Sequence, residues 1–246
     1  AFVKTAGESS TVTSTDLTHE SVLASMQRTL DTEMAGLSAL RSSIGRDASE
    51  IVRLLAGLEG RLICAGVGKS GHVARKMAAT FASTGTPAQF VHPSEASHGD
   101  LGMITTRDAV LALSKSGETR EMGDLIAYCR RFGVPLIAMT AGADSALARG
   151  ADLVFLMPNA AEACGETRAP TTSTTMMMAA GDALAVALIE ARGFTANDFA
   201  RYHPGGALGA ALASVEDLMH AGDELPLVAL TASMGDALIE MSQKGF

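Results

Sequence analysis

The sequence predicts an α/β fold, a parallel five-stranded sheet flanked by helices and preceded by a long N-terminal helix. Three observations carry that reading. Short apolar runs alternate with stretches of helical periodicity, which is how a parallel sheet covered on both faces is written. The run Leu62-Ile-Cys-Ala65 has no polar interruption, as expected of a strand buried on both sides. Directly after it, Gly66-Val-Gly-Lys-Ser-Gly71 gives a glycine turn into a helix, the arrangement by which such proteins aim free N–H groups at an anion.

Residues 1–15 are rich in Ser and Thr and are expected to be loose. From Asp16, the apolar positions Val22, Leu23, Met26, Leu30, Met34, Leu37, Leu40 and Ile44 step by three or four, which predicts one long amphipathic helix. A second helix is expected over 48–58. The strand at 62–65 follows, then a helix with Val73, Met77 and Phe81 on one face. Strands are predicted at 88–92, 108–113, 134–140 and 152–157. Helices are predicted at 120–132, around 145–149 and at 171–193. The most apolar stretch, 176–189, falls short of the roughly 20 residues a bilayer requires and reads as a buried helix.

Composition narrows the function. Of 246 residues, 47% are hydrophobic and 19% charged, enough apolar side chain for a sizeable core. A net charge of −8 and the lack of tryptophan argue against a nucleic-acid partner. The polar first 20 residues hold no apolar block of a signal peptide. Three widely spaced cysteines form no disulfide framework, so a cytoplasmic protein is expected.

Ligands of parallel α/β sheets sit beyond the carboxyl ends of the strands, so the residues after each strand matter most. The first strand delivers Gly68, Lys69 and Ser70. The second leads to His92 and then Ser94-Glu-Ala-Ser-His98-Gly-Asp100. After the third comes Ser114-Lys-Ser116-Gly117-Glu-Thr119-Arg-Glu121, and after the fifth come Glu162, Cys164 and Thr171-Thr172-Ser-Thr-Thr175. Ser and Thr before a helix are ordinary N-caps. These are more hydroxyls than two helices need for capping, and they lie beside free amides and positive dipole ends.

The anion is not expected to be a nucleotide. The G-x-G-x-x-G spacing lacks the acidic residue that holds a ribose, and Ile63 occupies the first glycine position of a Walker loop. A phosphate on a smaller molecule fits better. Lys69, one of five lysines, sits in a glycine turn that a merely solvated lysine would not need.

These motifs resemble the SIS (sugar isomerase) domain. The longer matches, Phe81-Ala-Ser-Thr-Gly-Thr-Pro87, His92-Pro-Ser-Glu-Ala-Ser-His-Gly-Asp-Leu-Gly-Met103, Gly181-Asp-Ala-Leu-Ala-Val-Ala-Leu188 and His203-Pro-Gly-Gly-Ala-Leu-Gly209, resemble the arabinose-5-phosphate isomerases. The resemblance implies a doubly wound, flavodoxin-like or Rossmann-like SIS domain over 16–212. It also implies that 213–246 is the start of a CBS domain, where Val215, Leu225-Pro226 and Ala237-Leu-Ile-Glu-Met241 match.

The implied activity interconverts D-arabinose 5-phosphate and D-ribulose 5-phosphate through an enediol, the first step of Kdo biosynthesis. The implied assembly is a homotetramer with sites at subunit interfaces, without a membrane partner. Such chemistry needs a carboxylate base with a raised pKa, a cation near the developing oxyanion and a ring-opening group. The matched residues are Glu162 as base with Glu121 competing, Lys69 for the enediolate and His203 for ring opening, from a neighbouring subunit.

Phosphate and sugar would be held by Gly68, Ser70, His98, Ser114, Ser116, Gly117, Thr119, Thr171 and Thr172. No cofactor is expected. His92, His98 and Asp100 match no standard closed metal site, and zinc at His98 would be inhibitory. Two departures from the family stand out, Lys115 in place of an asparagine and Gly165-Glu-Thr-Arg168 in place of an apolar stretch. The alternatives are a SIS-type sugar-phosphate-binding regulatory module, or another phosphosugar isomerase.

Overall fold

The computed structural model describes residues 18–167, 169–203, 215 and 219–246. The loose segment expected at 1–15, the 204–209 part of the His203 motif and Arg168 lie outside the described residues. Two compact units meet at Gly193 and Phe194.

The first unit holds a five-stranded sheet of order β2-β1-β3-β4-β5, in which every pairing is parallel. The strands are β1 (Leu62–Gly66), β2 (Ala88–Val91), β3 (Ala109–Leu113), β4 (Leu136–Thr140) and β5 (Leu153–Leu156). β1, β3 and β4 are buried along their whole length, which is why their sequences read as unbroken apolar runs.

Alternate residues serve opposite faces. Leu62 and Cys64 join Leu111, Leu113, Ile137 and Met139 in one core; Ile63 and Ala65 join Val110, Ala112, Leu136 and Ala138 in the other. The first core is closed by α2 (Arg46–Ala56), α3 (Gly68–Ser83) and α7 (Thr172–Arg192), with Leu40 of α1 (His19–Ser43) against them. The second is closed by α4 (Pro93–Ala96), α5 (Gly123–Phe132) and α6 (Ala146–Gly150).

On α1, Gly36 and Leu40 are buried while Val22, Leu23, Met26, Leu30 and Met34 stay exposed, so only the C-terminal half of this amphipathic helix reaches the core. Its start is capped by Thr18, whose hydroxyl accepts from Ser21 N at 3.1 Å. Glycine lets α3 and α7 approach closely, since a Cβ on Gly181 would come within 2.6 Å of the Met77 side chain. At the end of α7, Arg192 donates to Gly85 O at 2.7 Å, Thr86 Oγ1 at 2.9 Å and Leu55 O at 2.6 Å. That fork ties α7 to the end of α2 and to the turn before β2.

Several boundaries differ from the sequence reading. α3 begins at Gly68, with Gly68 itself at φ 57°, so the glycine turn is part of the first helical turn. The stretch expected as one helix over 120–132 opens as a 3-10 turn, Arg120–Met122, before α5. α4 and the 3-10 turn Asp100–Met103 are too short to leave a periodic signal. α7, Thr172–Arg192, matches the helix expected at 171–193; its 21 residues are by length and composition apolar enough to cross a membrane, although the most apolar block, 176–189, is shorter. Its apolar character has a local cause: Met176, Met177, Ala180, Leu184, Ala185 and Leu188 are buried, with α1, α2 and α3 packed around the helix.

The second unit contains α8 (Ala196–Tyr202) and α9 (Met234–Lys244), each opened by a capping box, Thr195 with Asp198 and Ser233 with Asp236. Among its described residues none is buried. The stretch read as the start of a CBS domain falls in this unit, and its residues 213–214 and 216–218 lie outside the described ones.

Candidate active site

Strand order 2-1-3-4-5 reverses between β1 and β3, and a crevice forms outside the carboxyl ends at that switch point. A cavity of about 460 Å³ lies there, lined by Val67 and Ser70 after β1, Leu113 to Ser116 and Thr119 after β3, Ala141 and Gly142 after β4, and Asn159 after β5. Four residues expected to hold phosphate, Ser70, Ser114, Ser116 and Thr119, therefore share one wall.

Local sequence explains the shape of that wall. Gly66 and Gly71 let the β1 end and the start of α3 touch, because a Cβ on Gly71 would stand 2.6 Å from Gly66 O. The loop after β3 is wired by its own hydroxyls. Ser114 Oγ and Thr119 Oγ1 share a hydrogen bond of 2.8 Å, Gly117 N donates to Ser114 Oγ at 3.0 Å, and Glu118 N donates to Ser116 Oγ at 3.2 Å. Gly117 takes φ 69°, and a side chain there would run into Ser145. The loop is also clasped to the next connection: Thr140 Oγ1 and Ala141 N donate to Lys115 O at 3.2 and 3.0 Å, and Leu147 N donates to Gly117 O at 3.0 Å. A loop so fixed presents its donors without reorganising first.

Glu162 is the most constrained acid of the site. Its side chain is 6% exposed. One carboxylate oxygen accepts from Lys115 Nζ at 2.6 Å. The other accepts from Thr171 N at 2.8 Å, Thr171 Oγ1 at 3.2 Å and Ser173 N at 3.2 Å. Burial pushes the Glu162 carboxyl up, but the hydrogen bonds from Lys115 and from the start of α7 outweigh it and hold the group at about 2.

That corrects two expectations. The base with a raised pKa is not what this arrangement holds, because a cation and two amides stabilise the charged form. The start of α7, expected to offer free amides to a phosphate through Thr171 and Thr172, has the Glu162 carboxylate as its cap. Among the described residues, Thr172 Oγ1 is buried there without a hydrogen-bond partner.

Lys69, Gly68, His98 and Glu121 are exposed and do not line the cavity. His203 belongs to the second unit, where its Nδ1 lies 2.8 Å from Phe199 O and its ring stacks on Phe199 at 3.8 Å. His92 caps α4, with Nδ1 accepting from Ser94 N at 3.2 Å. Among the described residues no three His, Cys, Asp or Glu side chains gather as metal ligands. Sequence reasoning missed Ala141, Gly142 and Asn159 as lining residues; the rule that ligands lie after strands, applied to β4, was the signal that points to the first two.

Comparison with known proteins decides the family. The SIS domain model matches residues 58–187, more than half of the chain. Arabinose 5-phosphate isomerase KdsD of Pseudomonas aeruginosa is 52% identical over 222 residues, covering 90% of this chain and 68% of that protein. The chain belongs to the SIS-domain arabinose 5-phosphate isomerases. Another member of the family, KdsD of Escherichia coli K12, is 57% identical over 187 residues. This covers 76% of the chain but 57% of the E. coli protein, so the chain spans between about half and two thirds of its relatives' length. Among solved structures, the c3406 protein of E. coli CFT073 in complex with arabinose 5-phosphate superposes with a TM-score of 0.74 at 38% identity, covering 76% of this chain and all of that one.

Proposed function

We propose that the chain isomerises D-arabinose 5-phosphate to D-ribulose 5-phosphate through an enediol, without a metal or cofactor, as the first step toward Kdo. The observation that carries the proposal is the cavity beyond β1 and β3, where Ser70, Ser114, Ser116, Thr119 and the cation of Lys115 converge. Hydroxyls, amides and one ammonium group suit a phosphoryl dianion, and about 460 Å³ suits a pentose phosphate better than a dinucleotide. Membership in a family named for this reaction supports the same substrate.

Chemistry would proceed by transfer of the carbon-2 proton to a carboxylate, leaving the electron pair in the enediolate, exchange of that carboxyl proton with solvent, and delivery of a proton from the carboxyl group to carbon 1. We assign the transfer to Glu162, with Glu121 as the competing group, charge stabilisation at the enediolate oxygen to Lys69, and ring opening to His203 from a second copy in a homotetramer. All three cysteines are free, in keeping with a reducing cytoplasm.

Incubation with arabinose 5-phosphate in deuterated water, with and without a chelator, tests the reading. Ketopentose phosphate should form equally in both arms and carry deuterium at carbon 1. Turnover of a hexose phosphate in its place, or activity abolished by the chelator, would overturn it.

A further inference from the structure

Lys115 stands between the Glu162 carboxylate and the hydroxyl-lined cavity. Its backbone is pinned at the end of β3 by the two donors to its carbonyl, Thr140 Oγ1 and Ala141 N. Its side chain is 37% exposed, lines the cavity with the four hydroxyl residues, and ends 2.6 Å from Glu162 Oε1. It is the charged group that faces Glu162 among the described residues. The start of α7 presents the N–H groups of Thr171 and Ser173 there, and within the loop that leads to it the Cys164 thiol donates to Ala169 O at 3.0 Å. Arg168 of that loop lies outside the described residues.

An ammonium on a four-carbon stem can turn from one acceptor to another with little rearrangement. A phosphoryl dianion attracts it more strongly than a single carboxylate at the same distance.

We propose that Lys115 is a positioning residue that couples anion binding in the cavity to the state of Glu162. It clamps the carboxylate until a phosphoryl group enters, then turns to that group and leaves Glu162 free to take up a proton. Without the ammonium, burial is opposed only by the donors at the start of α7, so the balance on Glu162 moves toward the protonated form. A substrate's own phosphate would thereby switch on the base that acts at the other end of the molecule. The role of Glu162 in turnover rests on the isomerase reading; the competition for Lys115 rests on the cavity alone.

Two measurements separate these parts. In the first, inorganic phosphate is titrated at constant ionic strength into wild type, K115Q, E162Q and the double variant. K115Q should weaken binding about tenfold, and E162Q should tighten it several-fold by removing the competitor. In the K115Q background E162Q should change nothing. Equal effects of E162Q in both backgrounds overturn the coupling.

Because Glu162 also holds the start of α7, the second measurement uses variants that keep it. In wild type the acid limb of kcat/KM, which reports the free enzyme, should lie at lower pH than that of kcat, which reports the complex. The two limbs should coincide in K115Q and separate again in K115R. Coincident limbs in wild type overturn the proposal, since a merely structural lysine would not move them apart. Failure of wild type to turn over arabinose 5-phosphate overturns the isomerase reading instead and leaves the phosphate titration to decide the coupling.

Discussion

Single side chains at strand ends do much of the positioning in this fold, and Asp108 shows how. It is 5% exposed, one residue before β3. Its Oδ1 accepts from Arg61 N at 2.6 Å, and its Oδ2 accepts from Thr105 N at 2.7 Å and Thr105 Oγ1 at 2.9 Å. Burial raises the Asp108 carboxyl, yet the donors from Arg61 and Thr105, helped by the Arg61 charge, bring it below the usual aspartate range. A depressed folded-state pKa contributes stability that is present above the unfolded value and lost as pH falls through the folded one. Asp108→Asn would turn an amide toward donors, and should cost about 1–3 kcal/mol, which for this size lowers Tm by roughly 2–4 °C per kcal/mol. Thermal melts at neutral and acidic pH check it: the gap between the two proteins should close as the solution is acidified, and a constant gap would place the effect in packing.

The same scale shows what could be read in advance. Ser70, Ser114, Ser116 and Thr119 were legible because each follows a strand, and the rule for ligands in parallel sheets needs only that. The Lys115–Glu162 pair was not, because 47 residues separate the partners and nothing local links them. In sequence Glu162 is only a carboxylate that follows a strand; its capping of α7 is a contact formed by the fold.

At the level of elements, the β1–α3 corner sets the geometry of the cavity. Five strands were legible because runs buried on both faces stay apolar in sequence. The periodic signal of α3 starts only at Val73, because glycines carry no periodicity, although the helix begins at Gly68. Gly71 is the tightest point of this corner, since an added Cβ would meet the backbone of Gly66 rather than a side chain that could turn aside. Gly71→Ala should push the first turn of α3 off the strand, carrying Ser70 with it, at a cost of about 1–3 kcal/mol. Phosphate binding should weaken together with stability. Melting curves and phosphate titrations on the same preparation check this, and lower stability at unchanged affinity would mean that Ser70 contributes nothing to the grip.

Across the whole molecule, the two units are not equals. Both hydrophobic cores draw on residues no later than Leu188, and every residue lining the cavity precedes Gly193. Gly193 closes α7 in the left-handed conformation, φ 63°, which is a natural stop for a helix. The described part of the second unit leaves Leu227, Leu230, Leu238 and Ile239 exposed. Stability should therefore reside in the first unit, whereas turnover in the proposed reaction needs His203 from the second. A protein ending at Gly193 should unfold in one cooperative transition close to that of the full chain and bind inorganic phosphate with unchanged affinity. It should convert arabinose 5-phosphate at least a hundredfold more slowly, by the rough measure of a lost acid–base group. Calorimetry, phosphate titration and the isomerase assay read the three quantities separately. Full activity in the shortened protein would remove His203 from the reaction; loss of phosphate binding would show that the cavity depends on the second unit.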